Sequence, residues 1–267
     1  MGMPPEDLRR AQLCMLHILK KVHEICTKHN IKYWLDFGTL LGAIRHDGFI
    51  PWDDDLDISM MREDYEKWNK IAQKELGEEF FWQTEETEPD YHLFFGKVRL
   101  NQTLWLESPL INSAIKHTGI YIDIFPVDFV PKNKVFLSFY QKIYGFGTRV
   151  LWKKFLKNDE RNLFVKIGSM LNSTFFRKLL MFITKIMNEL CRKYVSILYT
   201  YTQKYFCAKS DLRELVLHKF EDGEFYIPKK YDAHLTRIYG NYMQLPPENK
   251  RSGAHNVIDY DFGKYHA

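Results

Sequence analysis

The chain has 267 residues, 45% of them apolar, 16% aromatic and 27% charged, with a formal net charge of +4. That length can bury a sizeable core in one large domain or two small ones, and so mild a positive charge does not by itself imply nucleic acid. Cys14, Cys26, Cys191 and Cys207 share no metal-ligand spacing and read as free thiols, so no structural zinc is expected. Met1 to Arg10 is polar, unlike a secretory leader, and no stretch reaches the ~18 apolar residues of a membrane span. A cytoplasmic protein is expected.

Pro4 to Asn30 reads as a helix, because Leu8, Ala11, Met15, Ile18, Leu19, Val22, Ile25 and Cys26 recur at helical spacing. Tyr33 to Phe37 reads as a strand. Gly38 would let backbone approach a phosphate, and Thr39 would cap a short helix, Leu40 to His46, whose N-terminus favours an anion. The loop from His46 to Trp52, with Gly48 and Pro51, should be ordered against whatever follows.

Four carboxylates then fall in five positions: Asp53, Asp54, Asp55 and Asp57. Asp55-Leu56-Asp57-Ile58 alternates polar and apolar, the period of a half-buried strand, here expected over Asp55 to Met61. Asp55 and Asp57 would therefore project to one side. Neighbouring carboxylates repel, and a cation between them removes that repulsion. Oxygen ligands suit Mg²⁺ or Mn²⁺, ions that serve phosphoryl transfer.

Arg62 to Leu76 reads as a charged helix with Tyr65, Trp68, Ile71 and Ala72 inward. Strands follow at Phe80 to Gln83 and His92 to Leu100. In the second, Lys97 and Arg99 share a face that is either solvated or in contact with substrate phosphate. Gly119 to Phe125 is a further strand ended by Pro126, and it sets Asp123 between Ile122 and Ile124, where a carboxylate is costly unless paired or metal-bound.

After Pro131 the composition turns basic and aromatic with few turn signals, so long helices are expected. Three readings stay open for this stretch: a helical bundle, a basic amphipathic surface lying on an anionic membrane, and, with no recognition motif to support it, nucleic-acid binding. From Glu221 the tail is polar again, with a short helix expected at Tyr231 to Tyr239. Arg251 and His255, taken alone, read as surface residues.

The run Asp36-Phe-Gly-Thr-Leu-Leu-Gly-Ala-Ile-Arg45, continued by Gly48-Phe-Ile-Pro-Trp-Asp-Asp-Asp-Leu-Asp-Ile58, resembles the LicD family of phosphocholine transferases. Fukutin-type ribitol-phosphate transferases are its more distant relatives. Gly119 to Asp128 and Tyr239 to Arg251 resemble the same family, so the likeness spans most of the chain. It implies an α+β fold: a nucleotidyltransferase-like mixed sheet with flanking helices, joined to a helical, basic and aromatic-rich segment. The division would be a catalytic core over 1–130, the helical segment over 131–220 and a C-terminal segment over 221–267 that returns to the active site.

The resemblance further implies that Asp123 completes a Mg²⁺ or Mn²⁺ site with Asp55 and Asp57, as ligand or as base. Asp128 is as compatible with a structural role as with a catalytic one. Gly38, Thr39, Arg45, Trp52, Asp53, Lys97, Arg99, Arg251 and His255 become substrate-contact positions. The donor implied is CDP-choline. The acceptor implied is a hydroxyl of a lipid-linked glycan precursor, of teichoic-acid or lipopolysaccharide type, with CMP leaving. Such an enzyme would touch the inner face of the cell membrane peripherally and bind no nucleic acid. Two rivals share the motif: a nucleotidyltransferase that transfers the nucleoside monophosphate, and a non-enzymatic membrane-associated module.

Overall fold

In the computed structural model, which describes residues 3–89, 91, 93–108, 115–155, 173–198, 205–253 and 255–265 (without the side chains of 146–155 and 173–176), the first helical pattern closes into α1, Pro5–Lys28. Pro5 sits in the first turn, where its missing N–H leaves no bond unmade. The apolar stripe of α1, from Ala11 to Cys26, is fully buried. Then come β1 (Trp34–Leu35), α2 (Phe37–His46), β2 (Asp57–Met61) and α3 (Arg62–Leu76). These are followed by β3 (Phe80–Gln83), β4 (Gly96–Leu100), β5 (Leu104–Glu107) and β6 (Tyr121–Val130).

Among the described residues the central sheet has seven strands. The order β1-β2-β6-β4-β3 is mixed: β2 and β6 run parallel, and the other pairs are antiparallel. Alternation along the two central strands divides the interior. Ile58, Met60, Ile122 and Ile124 enter the main core with the apolar stripe of α1 and with Trp68 and Ala72 of α3. Phe125, Val127 and Phe129 enter a second cluster around Trp34 and Tyr205. Each fully buried aliphatic side chain stabilises the fold by roughly 1.5–3 kcal/mol.

Three expectations are corrected. Pro126 does not end its strand: β6 runs on to Val130. Pairing with β4 stops at Ile124 and pairing with β7 begins at Asp128, so the proline falls where that edge carries no ladder bond to lose. Thr39 is not the cap of α2. Asp36 is, accepting from Phe37 N–H at 2.9 Å, while Thr39 is buried inside the helix and its hydroxyl accepts from Asp57 N–H at 2.8 Å. The stretch after Pro131 is not wholly helical. It holds α4 (Lys134–Phe155) and α5 (Ser173–Leu190), but then β7 (Tyr194–Ser196) and β8 (Cys207–Ala208), which extend the central sheet from β6.

The rest of the chain wraps this frame. A one-turn helix α6 (Lys209–Leu212) leads into a hairpin of β9 (Leu215–Phe220) and β10 (Gly223–Pro228). Helix α7 occupies the expected Tyr231–Tyr239. The last strand, β11 (Val257–Asp261), pairs with β5. No described helix is long and apolar enough to cross a membrane.

Candidate active site

Parallel pairing of β2 with β6 sets Asp57 opposite Asp123, and antiparallel pairing of β6 with β4 sets Asp123 opposite Lys97. Residues opposite one another in a ladder send their side chains to the same face. Asp57, Asp123 and Lys97 thus form a row across three strands, all buried. Lys97 Nζ lies 2.6 Å from Asp123 Oδ1 and 3.4 Å from the centre of the Tyr121 ring. An ion pair this far from water survives because each charge is the other's partner.

The carboxylates leading into β2 crowd the same place. Asp53, Asp54 and Asp55 each offer an oxygen within 4.8 Å of the others. Alternation pointed to Asp55 and Asp57, and the resemblance added Asp123. The charges nonetheless act as one cluster. Burial, then the charges of Asp55, Asp123 and Asp53, pushes the Asp57 carboxyl well above its ordinary value. Burial together with Asp55 and Asp54 pushes Asp53 up to about 8. Burial raises Asp55 and Asp123 too, against the opposing pull of His255 on the first and of Lys97 on the second.

Two cations answer these acids from within the site. Lys97 is one. The other is His255, brought in because β11 pairs with β5 and Asn256 O accepts from Ser108 N–H at 2.8 Å. The Asp54 carboxylate accepts from His255 N–H at 3.1 Å, and its Oδ1 lies 3.2 Å from the ring Nδ1. Burial alone would lower the imidazole pKa, but the Asp54 bond and the charges of Glu107 and Asp55 overcome it and hold the ring up at about 9. At neutral pH the ring is therefore a cation.

A crowd of buried carboxyls that raise one another's proton affinity is a donor set suited to a hard divalent ion. Asp54 is the least available, since His255 already holds it. Gly38 stands against Asp53: a β-carbon there would come within 2.7 Å of Asp53 Oδ2. The glycine therefore lets the start of α2 approach the Asp53 carboxylate.

At one border of the site lie Arg45, Trp52 and Arg251. The Arg251 guanidinium sits over the Trp52 ring at 5.5 Å and donates to Pro246 O at 2.9 Å. Arg45 donates to Tyr242 O at 3.0 Å and is close enough to feel the charges of both Asp53 and Arg251. Two like charges gathered beside an acid cluster make an opening that favours an anion.

Arg99 shares the strand face of Lys97 but is tied into the fold. It is buried, and it donates to Gln83 Oε1 at 2.5 Å and Gly119 O at 2.6 Å. Asp128 is likewise structural: it accepts from Arg62 at 2.8 and 2.7 Å and from Asn188 at 2.7 Å.

Sequence reading missed a second buried network directly behind the acids. Asp36 accepts from Trp34 Nε1 at 3.2 Å and from the Tyr205 hydroxyl, and lies 3.0 Å from His234 Nε2. His234 is on α7, so this contact ties the tail to the first residue of the motif. It also missed Glu107 on β5, which accepts from the Tyr121 hydroxyl at 2.5 Å. Neither has a local sequence signal, because each partner arrives from a distant element.

Residues 30–155 match the family model described as LicD/FKTN/FKRP, nucleotidyltransferase domain. Over 263 residues the chain is 30% identical to the lipopolysaccharide cholinephosphotransferase LicD of Haemophilus influenzae, covering 93% of this chain and 96% of that protein. It is 43% identical over 47 residues to the ribitol 5-phosphate transferase FKRP of Homo sapiens, 18% of this chain and 10% of that protein. An uncharacterized protein of Rickettsia prowazekii shares 60% identity over 52 residues, 20% of each chain.

Proposed function

The chain belongs to the LicD family, and on that footing we propose that it transfers phosphocholine from CDP-choline to a hydroxyl of a cell-surface glycan precursor, releasing CMP. The observation that carries this reading is the in-register row of Asp57, Asp123 and Lys97 beneath the Asp53–Asp55 cluster. Such a row gathers ligands for a divalent ion and a fixed cation at one point on a rigid sheet. One relative that matches over 93% of this chain is named a lipopolysaccharide cholinephosphotransferase.

In this reading Asp55, Asp57 and Asp123 hold Mg²⁺ or Mn²⁺, with Asp53 beside them. When bound, the ion neutralises diphosphate oxygens and stabilises charge that develops during transfer. Arg45 and Arg251 meet the diphosphate at the opening, and Trp52 carries the Arg251 guanidinium at the angle it needs. Lys97 and His255 face the transferred phosphoryl group. The acceptor oxygen forms its bond to the phosphorus that bears choline, and the bond from that phosphorus to the CMP oxygen breaks. The hydroxyl proton passes to a carboxylate of the cluster, with Asp123 the proposed recipient. A lipid-linked acceptor implies peripheral contact with an anionic membrane.

The test is product analysis with CDP-choline, Mg²⁺ or Mn²⁺, and a glycan acceptor. CMP with a phosphocholine adduct supports the proposal. Free phosphocholine with a cytidylylated acceptor would establish the nucleotidyltransferase reading. No turnover and no divalent-ion binding would leave the non-enzymatic one.

A further inference from the structure

A cavity of about 880 Å³ lies away from the acid cluster, between α3, α5, α6 and the start of β9. Its floor is apolar: Trp34, Met61, Phe129, Met181, Leu212 and Leu215. Its rim is exposed and cationic. Lys32, Lys70, Lys185, Lys209 and Arg213 all border it, and none forms an ion pair with a described carboxylate. The acids on the rim are partly spent, Asp64 on Lys67 at 2.8 Å and Glu63 on Arg192 at 3.6 Å. An apolar floor beneath a surplus of positive charge suits an amphiphile with an anionic head.

The cavity opens beside an unusual surface. On α5, Leu179, Phe182, Ile186 and Leu190 recur at helical spacing and are 41%, 61%, 38% and 76% exposed. Their opposite side, with Leu180 and Thr184, packs against Tyr140 and Tyr144 of α4. On α4, Val135, Phe136 and Phe139 are exposed in the same way. Half-buried Ile143, Ile183 and Met187 fall between the two stripes by helical phase. Lys134, Lys142, Lys178 and Lys185 flank this apolar surface, and Glu189 is the only acid on the described parts of the two helices. Phe182 and Lys185 belong both to this face and to the cavity wall.

Water does not favour so many large apolar side chains along two packed helices. An anionic bilayer does, since it takes aromatic and aliphatic side chains at its interface and attracts flanking lysines. We propose that the packed pair of helices α4 and α5 is the membrane-docking face of this protein, and that the adjoining cavity seats one anionic phospholipid. The exposed stripes enter the interface, and the cationic rim receives the lipid phosphate while the acyl end covers Phe129 and Met181. This names the surface for the lipid-linked acceptor in the proposed function and rests on that reading for its purpose. Vesicle binding does not depend on turnover, so the two can fail separately.

The experiment is vesicle flotation of the full chain. It compares phosphatidylcholine alone with phosphatidylcholine containing phosphatidylglycerol, at low and at high salt. Binding is expected to the anionic vesicles only, weakened by salt. The variant F139S/F182S/L190S and the variant K70E/K185E should each lose on the order of tenfold or more in binding. Both should keep wild-type thermal midpoints and wild-type turnover of a short soluble acceptor. The reversal K20E/K21E on α1, remote from the cavity, should lower binding far less than K70E/K185E. Absence of binding to anionic vesicles at low salt would overturn the proposal, as would equal binding to neutral ones. So would wild-type binding by the serine variant, or equal losses from the two reversals.

Discussion

The His234 imidazole Nε2 lies 3.0 Å from Asp36 Oδ1, and neither side chain reaches solvent. Burial by itself would raise the Asp36 carboxyl. The charge and hydrogen bond of His234, helped by the Tyr205 hydroxyl, outweigh that and hold it below its ordinary value. Removing one member of a buried pair leaves the other without a partner, at about 3–5 kcal/mol. His234→Ala should therefore destabilise the protein by about that amount, read from denaturant unfolding.

The same pair sets an acid limit. A carboxyl whose folded pKa lies below its unfolded one stabilises fully above the unfolded value, about 3.9 for Asp. That contribution is lost as pH falls through the lower, folded value. Asp36→Asn keeps a capping side chain but has no charge to lose, so its stability should change less than wild type below about pH 4. Parallel acid titrations of the thermal midpoint decide this. Identical slopes would mean that Asp36 is not depressed.

The acid cluster predicts the opposite sign. Asp57 has its folded value pushed up by burial and by the charges of Asp55 and Asp123, so folding favours its protonated form and stability falls as pH rises above the unfolded value of about 4. Asn has no proton to take up. In divalent-free buffer at pH 7, Asp57→Asn should be more stable than wild type, because the amide carries no charge to bury beside its neighbours. Turnover should fall by roughly 10²–10³. Added Mg²⁺ or Mn²⁺ should raise the wild-type midpoint and leave that of the variant nearly unmoved. A metal-induced shift of equal size in both would remove Asp57 from the site.

Much of this arrangement was legible before the fold. The Asp55-Leu56-Asp57-Ile58 alternation and the Ile122-Asp123-Ile124 sandwich pointed to carboxylates on strands whose other face is core; the strand begins only at Asp57, which leaves Asp55 ahead of it, and the sheet places Asp57 and Asp123 side by side. What alternation could not give is distance across strands. It left Lys97 and Arg99 equivalent, although one meets Asp123 and the other meets Gln83 and Gly119 O. Pro126 misled for a related reason: whether a missing N–H matters depends on the neighbouring strand, which local sequence does not name. His255, taken alone, read as a surface residue and became a substrate-contact position only through the resemblance; its place against Asp54 follows from the pairing of β11 with β5.

That difference between Lys97 and Arg99 is itself testable. Lys97→Met keeps the packing over Tyr121 but strips Asp123 of its cation, so kcat should drop while the fold persists. Arg99→Met removes donors to a buried glutamine and a buried carbonyl, each left unsatisfied at about 1–3 kcal/mol. Its main effect should be a lower thermal midpoint, with kcat of the folded fraction near wild type. Reversed outcomes would mean that Arg99 reaches the diphosphate after all.

Arg251 and Arg45 should act on the donor diphosphate and not on the choline. Their guanidinium groups are each held by a backbone carbonyl of the segment after α7, Pro246 O for Arg251 and Tyr242 O for Arg45. Arg251 also rests on Trp52, so its position depends on a residue of the acidic motif. Alanine at either position removes one charge-assisted contact, worth about 1.5–3 kcal/mol, or roughly 10- to 150-fold in kcat/KM. Trp52→Leu should give a smaller loss, because the guanidinium keeps its backbone anchor and loses only the ring. The loss at Arg251 should be the same with CDP-choline and with another CDP-alcohol, since the shared part of these donors is the diphosphate. A loss confined to CDP-choline would put Arg251 at the choline end and reverse the orientation of the donor in the site.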